Sequence, residues 1–209
     1  MKALIYKDLI AVWRYCRNYL FMCGVFLVLS VFVEEYAFLQ MYPLILCGSL
    51  VSTLVAYDER DKWERQVLTM PVSRKQYVTA KYLTGLVLQG VVLVLTACAH
   101  GLQMKLSGGF AWTVFWADAG VMVMLGAAAP SLILPFVFKN GSEKGRMAYL
   151  IVIGTIFALI AAGIMLAGKL GLSDVAVELP VSAVAAAVAV VLYPASCALS
   201  VRWYEKREF

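Results

Sequence analysis

Six stretches of this chain carry no Asp, Glu, Lys or Arg: 18–33, 36–57, 82–104, 119–138, 147–168 and 179–201. A helix needs roughly 20 mostly apolar residues to cross the hydrocarbon core of a bilayer. Backbone polar groups in that core have no water to bond, so such a run satisfies itself best as a helix. The spacing predicts six transmembrane helices, at about 18–33, 36–57, 82–104, 116–138, 147–168 and 179–201. The first is the shortest and borrows flanking residues such as Tyr15 and Cys16. Overall the chain is 63% hydrophobic and 15% charged, against about half apolar and a quarter charged in soluble domains. The predicted fold is an all-α polytopic membrane protein, one membrane domain over 1–209 with no soluble domain.

The cations set the orientation. Lys2, Lys7, Arg14 and Arg17 precede the first span. Arg60, Lys62, Arg65, Arg74, Lys75 and Lys81 lie between spans two and three. Lys139, Lys144 and Arg146 follow span four, and Arg202, Lys206 and Arg207 end the chain. Only Lys105 and Lys169 fall in the alternate connections. The positive-inside rule then puts both termini in the cytoplasm. The net charge of +5 is accordingly a topology signal and not a sign of a nucleic-acid partner. Glu34 and Glu35 stand where a cleavable leader needs small residues, so the first run is expected to remain as a span. The cysteines form no CxxC pair and read as small apolar residues.

Residues 1–17 place Leu4, Ile5, Leu9, Val12, Trp13 and Cys16 at helical spacing, with Lys2, Lys7, Arg14 and Arg17 between them. This pattern predicts an amphipathic helix in the inner membrane interface. On the other side, Phe110, Trp112, Phe115 and Trp116 suit an aromatic belt. Residues 169–178 join the last two spans. Pro130 and Pro135 predict a kink in span four. The alanines at 183, 185, 186, 187 and 189 offer a small-residue packing face.

The stretch 57–82, YDERDKWERQVLTMPVSRKQYVTAKY, is densely charged between two uncharged runs. Asp58–Lys62, Asp61–Arg65 and Arg60–Glu64 are spaced as i, i+4 pairs. Trp63 and Val67, with Leu68 and Met70 nearby, predict the apolar side of one short helix, ended by Pro71. Ser73 and Gln76 form a capping box that starts the next helix, which runs through Lys81 and Tyr82 into span three. A minimal connector needs only a few polar residues. A cytoplasmic amphipathic helix here suits docking in a groove on another protein.

The same stretch resembles the cytoplasmic signature of ABC-2-type transporter permeases of the compact six-span branch. That branch shows an acidic start, an aromatic residue and then an LPVSR…V…KY pattern. Here the residues read MPVSRKQYVTAKY, with Met70 in the leucine position, and the ending SVRWYEKREF is similar to the family's short basic tail. The resemblance implies a permease subunit with no ATPase site of its own, in a bacterial plasma membrane. It implies a second permease copy or sister permease, membrane lipid, and a separate nucleotide-binding ATPase subunit that carries the ATP and magnesium. No cofactor is then bound directly. By this resemblance the 57–82 loop is a coupling loop that receives the ATPase stroke together with the N-terminal helix. The candidate coupling residues are Asp58, Glu59, Arg60, Trp63, Glu64, Val67, Leu68 and Arg74. Some relatives export small amphipathic peptides or give resistance to antimicrobial peptides.

Other chemistry is sparse. Gly163–Lys169 matches GxxxxGK, but Leu170 stands where a phosphate loop needs Ser or Thr, and no strand precedes it. The one histidine, His100, makes no zinc site by itself and reads as a packed residue. Asp118 is the one acid close to a span interior, beside Trp112 and Trp116, and is expected at the outer interface. Catalytic residues are therefore expected to be absent. Two function classes remain: the membrane subunit of an ATP-driven exporter of hydrophobic or amphipathic cargo, or an ATPase-independent secondary carrier or membrane assembly factor. A carrier should hold polar groups at mid-membrane, and almost none are found.

Overall fold

A computed structural model describes residues 2–32, 37–69, 71–145, 147, 150 and 178–206. The described residues form helices α1 (Lys2–Tyr15), α2 (Arg17–Phe32), α3 (Ala37–Arg60), α4 (Trp63–Leu68), α5 (Arg74–Leu106), α6 (Trp112–Asn140) and α7 (Glu178–Glu205). Stretches of α3, α5, α6 and α7 are each long and apolar enough to cross a bilayer. The chain is thus a polytopic helical membrane protein. The predicted fifth span, 147–168, the Glu34–Glu35 turn, the 169–178 connection and the Gly163–Lys169 match lie outside the described residues or almost wholly so.

Helix α2 is too short to span alone, and it meets α1 at a bend of 74°. The pivot, Cys16, is fully buried. An abrupt turn of this size suits a helix that lies along the interface and then dives inward. Helix α1 has two apolar sides. Val12 and Cys16 pack inward with Leu44, Leu50 and Leu54. Tyr6, Ile10 and Trp13, at helical spacing, face outward. Trp13, which the periodicity groups with Val12 and Cys16, therefore lies on the other, outward side.

Helix α5 has 33 residues, about 50 Å at 1.5 Å per residue, against a hydrocarbon thickness of about 30 Å. The helix is therefore longer than the hydrocarbon is thick, and Arg74, Lys75 and Lys81 all fall in its first turns. The capping box forms as expected: the Gln76 N–H donates to Ser73 Oγ at 3.2 Å, and the Ser73 N–H donates to Gln76 Oε1 at 3.1 Å. Helix α6 runs on through Pro130 and Pro135. Pro135 has no N–H, which frees the Ser131 carbonyl four residues earlier. Ser196 Oγ on α7 donates to that carbonyl at 2.7 Å. The missing helix bond is thus replaced by one between helices, as the absence of water requires.

Close packing uses small residues. A Cβ at Gly48 would lie 2.7 Å from that of Ala129 and 3.2 Å from Pro130 Cδ, so α3 and α6 approach to backbone distance there. A second core holds Val55, Val67, Tyr77, Leu134, Phe138 and Tyr204 together. It gathers the ends of α3, α6 and α7, the start of α5, and α4.

The basic segments meet at this end. Lys7 on α1 bonds Asp58 near the end of α3. The Ser142 N–H, just past α6, donates to Glu59 Oε2 at 2.7 Å. Arg74 at the start of α5 donates to the Glu205 carbonyl at the end of α7, at 2.8 Å. Lys139 stands 4.7 Å over the Trp203 ring. The segments that hold most of the Lys and Arg residues therefore share one face of the bundle.

Candidate functional site

At the centre of that face lies a buried charge cluster. Asp58 Oδ1 accepts from Lys7 Nζ at 2.8 Å, and Oδ2 accepts from the Tyr77 hydroxyl at 2.9 Å. Lys81 Nζ lies 2.6 Å from Asp58 Oδ2 and donates to Asp8 Oδ1 at 2.8 Å. Lys7 Nζ is also 3.0 Å from Asp8. Lys81 is 1% exposed, Asp8 2% and Asp58 9%. Two ammoniums face two carboxylates, so the cluster is neutral as a whole. An isolated charge at this depth would cost several kcal/mol, and only close, hydrogen-bonded pairing offsets that.

Local structure aims these groups together. Tyr77 and Lys81 stand four apart on α5 and share a face. Lys7 and Asp8 adjoin on α1, and the bend at Cys16 brings that helix across the bundle. Burial acts to lower the Lys7 pKa, but the carboxylates of Asp8 and Asp58 outweigh it and hold the pKa above the ordinary lysine value. Lys7 also sits 4.9 Å over the Trp63 ring, a cation–π contact. The cluster thereby joins four elements: α1, α3, α4 and α5.

The 57–70 segment departs from the single helix that its spacing predicts. Helix α3 extends to Arg60, and Lys62 takes a left-handed conformation with φ 55°. That break lies between Asp58 and Lys62, Asp61 and Arg65, and Arg60 and Glu64, so none of these pairs shares one helix. Asp58 instead points inward to Lys7, Lys81 and Tyr77. Trp63 and Val67 do share a face, but Val67 is 1% exposed and Trp63 packs beside it in the chain's own core. After a two-residue turn, a helix of six residues folds its apolar side back on the nearest apolar surface, the bundle. The side chains of Glu64 and Leu68 lie outside the described ones. Glu59 and Arg74 hold the Ser142 and Glu205 backbones, as above. The outward surface of the elbow is polar: Arg60, Asp61, Lys62, Gln66 and Thr69 are exposed.

Sequence reasoning missed Asp8, Tyr77 and Lys81 and placed Lys7 on the wetted side of α1. A signal was there: Asp8 is the only acid before Glu34, on an otherwise basic helix. Lys81 stands four residues after Tyr77, about two turns inside a helix entering an uncharged run.

At the opposite end, His100 and Asp118 pair. Their Nε2 and Oδ2 atoms lie 3.0 Å apart, and the imidazole stacks on Phe115 at 5.9 Å. The contact ties α5 to α6. The aromatic set is present, with Trp112 and Trp116 both 64% exposed. Among the described residues no group of His, Cys, Asp and Glu could hold a metal ion.

No curated protein and no solved structure shows significant similarity to the chain. A family model described as ABC-2 family transporter protein matches residues 3–205, nearly the whole chain and all of the charged face. The chain belongs to the ABC-2 transporter family, as a membrane-embedded permease.

Proposed function

We propose that the chain is the permease subunit of an ABC exporter, with six spans, both termini cytoplasmic, and a separate ATPase docked on the charged face. Permeases of this family generally work with ATPase subunits. Two permeases, copies or sisters, would form the pathway for a hydrophobic or amphipathic cargo such as a small peptide. The observation that carries this reading is the charge cluster. It fastens the interfacial helix, the end of one span and the start of the next to the α4 elbow. A push on the elbow then moves α1, α3 and α5 as one body. The apolar side of α4 is the anchor, and the exposed Arg60, Asp61, Lys62 and Gln66 are the docking surface.

The test is purification of the tagged chain from its native membrane in mild detergent, with ATP hydrolysis and transport measured on the complex. Charge reversal at the elbow (Arg60→Glu with Lys62→Glu) is expected to cut the stoichiometric ATPase at least about tenfold and leave the chain monodisperse. Each exposed charge pair is worth up to about 1 kcal/mol, and two reversals add repulsion. Undiminished ATPase association in this variant refutes the docking surface. A wild-type chain that transports with no ATPase bound refutes the exporter reading and favours a secondary carrier.

A further inference from the structure

We infer that the groove between α5 and α7 is a binding site for one anionic phospholipid of the leaflet facing the charged end. Two cavities, of about 580 and 310 Å3, adjoin along this groove and share Leu86, Tyr193 and Pro194 as walls. The first opens beside Lys75 and Arg202 at the charged end. The second runs on to Gly90, Met122 and Gly126. Lys75 and Gly90 are separated on α5 by about 22 Å at 1.5 Å per residue. One leaflet, headgroups included, is about 20–22 Å thick. The groove is thus one leaflet deep, with its cations at headgroup level and its apolar part where an acyl chain runs.

The wall chemistry agrees. Polar groups along the groove are already spent inside the protein. The Tyr82 hydroxyl lies 2.7 Å from both Ser196 and Ser200 Oγ, the Tyr193 hydroxyl donates to the Tyr82 carbonyl, and Gln89 donates to the Leu44 carbonyl. An occupant therefore meets aromatic rings and aliphatic carbon below the headgroup level. Leu83 and Leu86, 38% and 53% exposed, line its open side. A cavity open sideways to lipid fills with acyl chain, because leaving it empty forfeits dispersion contacts. A second copy of the chain fits less well. Both copies must point the same way in the membrane, so an isologous contact over this groove would set Lys75 and Arg202 of one copy against their counterparts at the same depth. Glu205 also lines the mouth, leaving one net positive charge for a phosphate headgroup.

This site does not depend on the ATPase partner, so its test is separate. The full chain is purified, delipidated in mild detergent and titrated with dioleoyl phosphatidylglycerol or dioleoyl phosphatidylcholine, with bound lipid counted by native mass spectrometry. One net positive charge near a headgroup is expected to favour phosphatidylglycerol about fivefold. The Lys75→Ala/Arg202→Ala variant should lose that preference and keep phosphatidylcholine binding. Gly90→Phe should reduce both lipids. A Cβ at Gly90 meets nothing within 4 Å, so the ring can fill the groove without displacing backbone. Gly24→Phe, equally unobstructed but on α2, is the control and should change neither. Equal binding of the two lipids by the wild type overturns the proposal. So does unchanged binding in Gly90→Phe, or a wild-type dimer that Gly90→Phe splits, which would show a second copy over the groove.

Discussion

Replacing Lys81 with methionine removes one ammonium from the buried cluster and keeps its aliphatic bulk. The structure sets the size of the effect. Lys81 is 1% exposed and reaches Asp8 and Asp58 at 2.8 and 2.6 Å. Without it, two carboxylates face only one ammonium, Lys7, and a net negative charge remains in a largely buried site. Breaking a buried pair from one side costs about 3–5 kcal/mol. Total stabilities are about 5–15 kcal/mol, so much of the stability is lost. For a chain of this size, melting should fall by about 6–20 °C, read by loss of the monodisperse peak after heating in detergent. A second change separates charge imbalance from lost packing. Lys81→Met with Asp8→Asn leaves the Lys7–Asp58 pair neutral and should recover at least about 2 kcal/mol of the loss. Amide exchange on α1 should rise in the single variant, where α1 loses its tie to α5 through Asp8 and an unbalanced carboxylate is left. It should fall back partly in the double one, where the imbalance is gone and Lys7–Asp58 still holds α1 to α3. A single variant as stable as wild type refutes the claim that the cluster fastens α1 to the bundle. So does a double variant no better than the worse of the two single changes.

Two further outcomes test the packing and the cap. Gly48→Leu should lower thermal stability by about 1–3 kcal/mol, because its Cβ would lie 2.7 Å from that of Ala129; Gly24→Leu, with nothing within 4 Å, should melt like wild type, and equal melting of both variants would contradict the close approach of α3 and α6. Ser73→Ala should cost about 1 kcal/mol and speed amide exchange at Gln76, whose N–H loses Ser73 Oγ; unchanged exchange there would mean the cap adds nothing to the start of α5.

How far the residues speak alone depends on how local the cause is. The capping box at Ser73 was legible because both bonds close within four residues. The spans in α3, α5 and α6 were legible because a bilayer-length run without charge admits few other structures. The amphipathic N-terminal helix was legible from its period. The single helix over 57–70 was not borne out, since pair spacing cannot reveal that Lys62 turns left-handed.

The sequence by itself determined that this chain is helical, lives in a membrane and gathers most of its Lys and Arg into a few segments, because those properties follow from hydropathy and length. Tertiary structure alone decided which charges are buried and with whom. Asp58 could have paired with Lys62 one turn away. It bonds Lys7 and Lys81 instead, from distant parts of the chain, because the bend at Cys16 and the face of α5 bring both ammoniums to its carboxylate. Val67 likewise faces inward, although its pattern fits a docking surface equally well. An apolar face takes whichever partner is nearest, and only the folded chain fixes which surface that is.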